Sequence, residues 1–148
     1  MNKVFLFVLF AIFAQRSFGQ NTPEEMVTKF FNEYERNPAK AVEKIYASNV
    51  WTSRIKDGIV KMQQQVNSYT EDYMGKYYGY DPIVKKQLAE RFVLCSYLAR
   101  YERQPIRFTF EFYKPNDKWT LFAFKIDSDL DDEMEQEAKL FYLNLEKK

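Results

Sequence analysis

Ile106-Arg107-Phe108-Thr109-Phe110-Glu111-Phe112-Tyr113, then Lys114-Pro115-Asn116-Asp117-Lys118, then Trp119-Thr120-Leu121-Phe122-Ala123-Phe124-Lys125-Ile126-Asp127, is the stretch that decides the fold. Its first third alternates apolar and polar residues, the period of a strand with one buried face. Pro115 presets its own φ, and Asn116 or Asp117 tolerates a positive φ, so the middle is a turn. The last third is the returning strand. A three-residue loop over Pro115–Asp117 pairs Phe110 with Phe122, Phe108 with Phe124, and Ile106 with Ile126. That register gathers the apolar residues on one face, and a slip of one would reverse the faces. It puts Thr109, Tyr113, Trp119, Leu121 and Ala123 on the opposite face, with Tyr113 across from Trp119.

Upstream of the hairpin, Phe92–Glu102 is apolar on both faces in its first half, as for a covered strand, and Asp81–Leu88 is a polar edge strand. Further back the period is helical. Thr22 is an N-cap, Pro23 suits the first turn, and Glu25 completes a capping box. Met26, Val27, Phe30, Phe31 and Tyr34 follow on one face, and Asn37-Pro38 ends that helix and starts a short second one. Ile55, Ile59, Met62, Val66, Tyr69 and Tyr73 describe a long third helix, expected to lie across the Phe108/Phe110/Phe122/Phe124 face. Ser128 or Asp129 caps a last helix, with the seam Leu130, Met134, Ala138, Phe141 and Leu145. Helices followed by antiparallel strands define an α+β class: N-terminal helices on a curved antiparallel sheet of about four strands, with a C-terminal helix.

The first nineteen residues read differently. Lys3 precedes the apolar run Val4–Ala14, and Ser17-Phe18-Gly19 puts small residues at the expected cleavage positions. This is the layout of a secretory signal, removed after Gly19. The apolar run is too short to span about 30 Å of hydrocarbon, so no membrane span is expected after cleavage. The expectation is a single domain over residues 20–148, exported to a periplasm or secreted, with a net charge of −1 once Lys3 and Arg16 are gone. A charge so near zero provides no electrostatic reason to bind nucleic acid. Cys95 stands alone in an apolar run and reads as a buried small hydrophobe, with an intermolecular bond or a reactive thiol as the alternative.

The Thr22–Glu25 helix start, the stretch Tyr101-Glu102-Arg103-Gln104-Pro105-Ile106-Arg107-Phe108, the stretch Phe112-Tyr113-Lys114-Pro115-Asn116-Asp117-Lys118-Trp119 and the acidic last helix together resemble small exported bacterial proteins of the nuclear transport factor 2-like, cystatin-like cone superfamily. The resemblance implies a sheet wrapped on a long helix, in a superfamily of enzymes, ligand binders and interaction modules. Its enzymes commonly place His and Asp inside the cone, and this chain has no His.

The absence of His removes the usual Ser-His-Asp and Cys-His arrangements and the imidazole zinc ligands. No glycine-rich phosphate loop is present, and no cofactor or metal site is expected. Asp127-Ser128-Asp129-Leu130-Asp131 imitates a calcium loop, but Asp132 stands where glycine is needed and Ala138 where a bidentate Glu is needed. Two clusters remain as ligand-binding candidates. Arg100, Arg103 and Arg107 can grip a carboxylate or phosphate, or be a solvated strand end offset by Glu102 and Glu111. Tyr69 and Tyr73, with Tyr77, Tyr78 and Tyr80 beyond and Tyr97 and Tyr101 beside the arginines, can line a ligand cavity or simply pack. Tyr113, Trp119 and Leu121 form a candidate interface, either a homodimer contact on the outer sheet face or a face covered by a terminal helix. The function expected is a non-enzymatic exported binding or interaction domain. The alternative is a small enzyme with Asp72 or Asp81 as base and Tyr73 or Tyr80 as acid.

Overall fold

The computed structural model describes residues 21–145; the signal sequence expected over residues 1–19 lies outside the described residues. The chain runs α1 (Pro23–Tyr34), α2 (Pro38–Tyr46), a 3₁₀ segment (Val50–Ile55), α3 (Lys56–Asn67), α4 (Glu71–Met74), β1 (Tyr77–Leu88), β2 (Phe92–Tyr101), β3 (Pro105–Tyr113), β4 (Thr120–Asp127) and α5 (Leu130–Leu145). The four strands form one antiparallel sheet in the order β1-β2-β3-β4, so every connection is a hairpin. The class is α+β, as the change of period implies.

The N-terminal signals act locally as their chemistry requires. The Glu25 amide donates to Thr22 Oγ1 at 3.2 Å and the Thr22 amide donates to Glu25 Oε2 at 3.2 Å, closing the capping box. Asn37 caps α2 by accepting from the Lys40 amide at 3.0 Å. With its start fixed, α1 turns Met26, Val27, Phe30, Phe31 and Tyr34 onto the inner face of the sheet. Phe30 meets Phe110 at 5.0 Å between ring centroids and Phe124 at 5.3 Å, and Phe31 meets Phe108 at 5.6 Å. Such edge-to-face pairs add about 0.5–1.5 kcal/mol each beyond area burial.

It is therefore α1, not the third helix, that lies across the phenylalanine face. The third helix is also not continuous. The Ser68 hydroxyl donates to the Gln65 carbonyl at 2.7 Å, and the Ser68 amide is shared between the Gln64 and Gln65 carbonyls, which tightens the last turn and ends α3. Val66 is buried, and Ile59, Met62 and Tyr69 pack on the core edge, whereas Ile55 and Tyr73 at the two ends of the expected seam are exposed. The helix packs on α2, where Gln63 Nε2 donates to the Ala39 carbonyl at 3.1 Å.

The hairpin register differs from expectation by two residues and then by a bulge. Phe110 pairs with Phe124 and Phe108 with Ile126, and a shift of two keeps the same faces together. Between Glu111 and Phe112 the ladder slips: Glu111 opposes Ala123, Phe112 opposes Leu121, and Phe122 is the extra residue. The bulge turns Leu121 inward, where it is 1% exposed, and Phe122 outward, where it is 62% exposed. The cause lies outside the hairpin. The Leu121 amide donates to Ser48 Oγ at 3.0 Å and its carbonyl accepts from Asn49 Nδ2 at 2.8 Å, so the loop after α2 holds this part of β4.

The expected interface of Tyr113, Trp119 and Leu121 is corrected accordingly. Leu121 belongs to the core. Tyr113 is half-exposed and pairs with Thr120, while Trp119 lies in the longer turn, partly buried against the core with Lys114 Nζ 5.2 Å from its ring centroid. The side chains of α5 from Asp131 to Leu143 are exposed, and the helix is joined to the sheet by a Glu133–Arg107 ion pair. Cys95 is buried in the core side of β2. Among the described residues, no helix is long and apolar enough to cross a membrane.

Candidate functional site: a tyrosine-walled pocket

Four tyrosines from separate segments meet at one end of the core. Tyr34 is the last residue of α1, Tyr69 lies between α3 and α4, Tyr77 opens β1, and Tyr101 closes β2. Tyr77 and Tyr101 are register partners. Tyr101 shares the inner face with Cys95, Tyr97 and Ala99 because alternate residues of β2 point the same way. Ring centroids lie 5.7 Å apart for Tyr34 and Tyr77, 5.3 Å for Tyr77 and Tyr101, and 6.1 Å for Tyr69 and Tyr101. The rings line a pocket of about 160 Å³, completed by Glu35, Pro38, Glu71 and Gly75.

Gly75 is required there. Its φ is +73°, and a Cβ at this position would stand 2.6 Å from Glu102 Cβ, so any side chain would force the β1–β2 end of the pocket apart.

The hydroxyls are unequally satisfied. Tyr34 and Tyr101 share a hydrogen bond of 2.6 Å, and Gln65 Nε2 donates to Tyr69 Oη at 3.0 Å. Tyr77 Oη is buried and, among the described residues, has no hydrogen-bond partner. An unpaired buried hydroxyl costs about 1–3 kcal/mol. Burial, reinforced by the adjacent Tyr101 hydroxyl, pushes the Tyr34 phenol far above the ordinary tyrosine range, and burial does the same to Tyr77. Burial also raises Tyr101, against the opposing hydrogen bond from Tyr34. These groups are held neutral at any physiological pH. They present aromatic faces and hydroxyl dipoles, not titrating acids.

The other candidate residues do not join them. Tyr97 lies deeper on the same face, between Phe31 and Tyr80, with burial pushing its phenol up to about 12. Tyr73 is exposed beneath the Arg103 guanidinium, 5.1 Å from its ring centroid. The arginines do not converge on a common anion, which corrects the expected grip. Arg100 donates to the Tyr78 carbonyl at 2.7 Å and pairs with Asp81 at 3.0 Å. Arg103 donates to the Tyr73 carbonyl at 3.0 Å. Arg107 is held by Asp127 at 2.8 Å and by Glu133. Strand parity separates them from the tyrosines, because Arg100 and Arg107 point to the outer sheet face while Tyr97 and Tyr101 point inward.

The carboxylate–tyrosine pairs of the catalytic alternative are not assembled. Asp72 and Asp81 are both exposed, Asp81 is paired with Arg100, and Tyr80 is stacked on Phe31 at 3.8 Å. Among the described residues no carboxylate is buried. No protein-family model, curated protein or solved structure matches the chain. The geometry alone therefore carries the functional reading.

Proposed function

We propose that this chain is an exported, non-enzymatic binding domain of the cone type, holding a small ligand among Tyr34, Tyr69, Tyr77 and Tyr101. The observation that supports it is the meeting of four tyrosine rings from separate segments around one concave pocket of about 160 Å³. Native mass spectrometry of the protein purified from its host is expected to show a retained small molecule, absent from a Tyr69→Ala variant with an unchanged circular dichroism spectrum. A wild-type protein that carries nothing, and whose tyrosine signals no small-molecule set perturbs, contradicts the reading.

A second reading is favoured by a separate observation. Met134, Phe141 and Tyr142 of α5 and Phe122 of the outer sheet face are all more than half exposed. Isolated helices of this length are marginal in water without a packed face. The α5 segment carries five acidic residues against Lys139, and the outer face carries Lys86 and Lys125. In this reading the two surfaces cover one another in a symmetric pair of chains, a partner role that can coexist with ligand binding.

A further inference from the structure

We infer that the tyrosine pocket selects a small organic cation, an ammonium group carrying methyl substituents, with Glu35 and Glu71 attracting it at the mouth. The inference rests on the ligand-pocket reading above and names its chemical class.

Four features of the site converge on this class. Tyr34, Tyr69, Tyr77 and Tyr101 line the pocket, and aromatic rings attract a cation within about 6 Å of a ring centroid through the negative part of their quadrupole. No Lys or Arg is among the described residues lining the pocket, so no cationic side chain there favours an anion. Glu35 and Glu71 are exposed at its edge, and among the described residues neither has an ion-pair partner. The neighbouring cations are directed elsewhere: Arg100 to Asp81, Arg103 to the Tyr73 carbonyl and ring, and Lys76 over the Tyr78 ring.

Size narrows the choice further. A volume of about 160 Å³ is below the roughly 300–1,000 Å³ of pockets for drug-sized ligands, so the site fits a headgroup and not an extended molecule. A primary ammonium presents three N–H donors that each need an acceptor, and aromatic walls offer them little beyond the remaining hydroxyl lone pairs. Methylation removes that demand and spreads the charge over a surface that packs against rings.

The test compares choline with 3,3-dimethylbutan-1-ol, which has the same shape and hydroxyl but a carbon in place of the charged nitrogen. Both are titrated into the purified protein while the tyrosine ring resonances are followed by NMR. Choline is expected to shift the Tyr69, Tyr77 and Tyr101 rings and to bind at least about tenfold more tightly than the neutral isostere. A Glu35→Gln/Glu71→Gln variant is expected to keep its fold and lose roughly threefold to tenfold in choline affinity, and added salt should weaken choline alone. Equal affinity for the two probes, or tighter binding of the isostere, overturns the cation inference and leaves the ligand pocket standing. If neither probe moves the rings while host-purified protein retains a neutral molecule that Tyr69→Ala loses, the cation class again fails alone. If no ligand is retained and neither probe binds, both fail.

Discussion

Leu121→Asp is expected to unfold the protein, whereas Phe122→Asp, one residue further on, is expected to leave it folded. Leu121 is enclosed by the core, and its backbone is held by Ser48 and Asn49. Removing it loses about 1.5–3 kcal/mol of apolar burial. The carboxylate adds a desolvation cost of several kcal/mol that no neighbour offsets. The sum is comparable with the roughly 5–15 kcal/mol that holds a domain folded. At Phe122 the ring already faces solvent, so a charge there meets water. Thermal unfolding followed by circular dichroism separates the two variants, and the opposite order would mean that β4 runs without its bulge. Sedimentation of the folded Phe122→Asp variant also tests the second reading. The pairing of chains requires wild type to associate with rising concentration and the variant to remain a monomer.

The second large effect is alkaline unfolding. Tyr34, Tyr77 and Tyr97 are all raised above the unfolded tyrosine value of about 10, in each case chiefly by burial. For a group raised in the folded state, the unfolded chain releases its proton first as pH rises. The stability these groups confer is therefore complete below about pH 10 and declines above it. The contribution of Tyr97 is exhausted near pH 12, while Tyr34 and Tyr77 continue to drive unfolding beyond that. Tyr34, nearly fully enclosed, alone removes about 1.4 kcal/mol per pH unit. Tyrosinate absorbance from the enclosed rings is expected to appear together with loss of the circular dichroism signal, in one cooperative step. In Tyr34→Phe the slope of stability against pH should fall by about 1.4 kcal/mol per unit. Smooth ionisation of all the tyrosines near pH 10 in a protein that stays folded would show that these rings are not buried.

The contrast between Leu121 and Phe122 also shows where local reading stops. Capping by Thr22 and Glu25, the seam of α1 and the alternation of β3 are short-range patterns, and each formed as its spacing demands. The bulge has no such signature. Trp119–Ala123 alternates acceptably in either register, and the partners that turn Leu121 inward lie more than seventy residues away in sequence. The break after α3 was hidden for a related reason. Tyr69 and Tyr73 extend the apolar period of Ile59, Met62 and Val66, so periodicity continues past the point where Ser68 ends the helix.

The pocket was half visible. Tyr69 and Tyr101 stand out as part of an aromatic-rich stretch, and Tyr77 lies in the same run. Tyr34 could not be told from a packing residue, because it follows Phe30 and Phe31 at ordinary helical spacing. Its role depends on where α1 ends against β1 and β2. The arginines misled for the converse reason. Arg100, Arg103 and Arg107 are near in sequence, yet separate partners divide them.

The convergence of the four tyrosines is the claim on which the functional account stands, and ring-to-ring nuclear Overhauser effects in protein labelled at its tyrosine rings test it most directly. The expected cross-peaks connect Tyr34 with Tyr77, Tyr77 with Tyr101, and Tyr101 with Tyr69, and leave Tyr73 outside the network. Cross-peaks from Tyr101 to Tyr73 in place of Tyr69, or the absence of any connection between Tyr34 and Tyr77, would contradict the pocket and the ligand reading built on it.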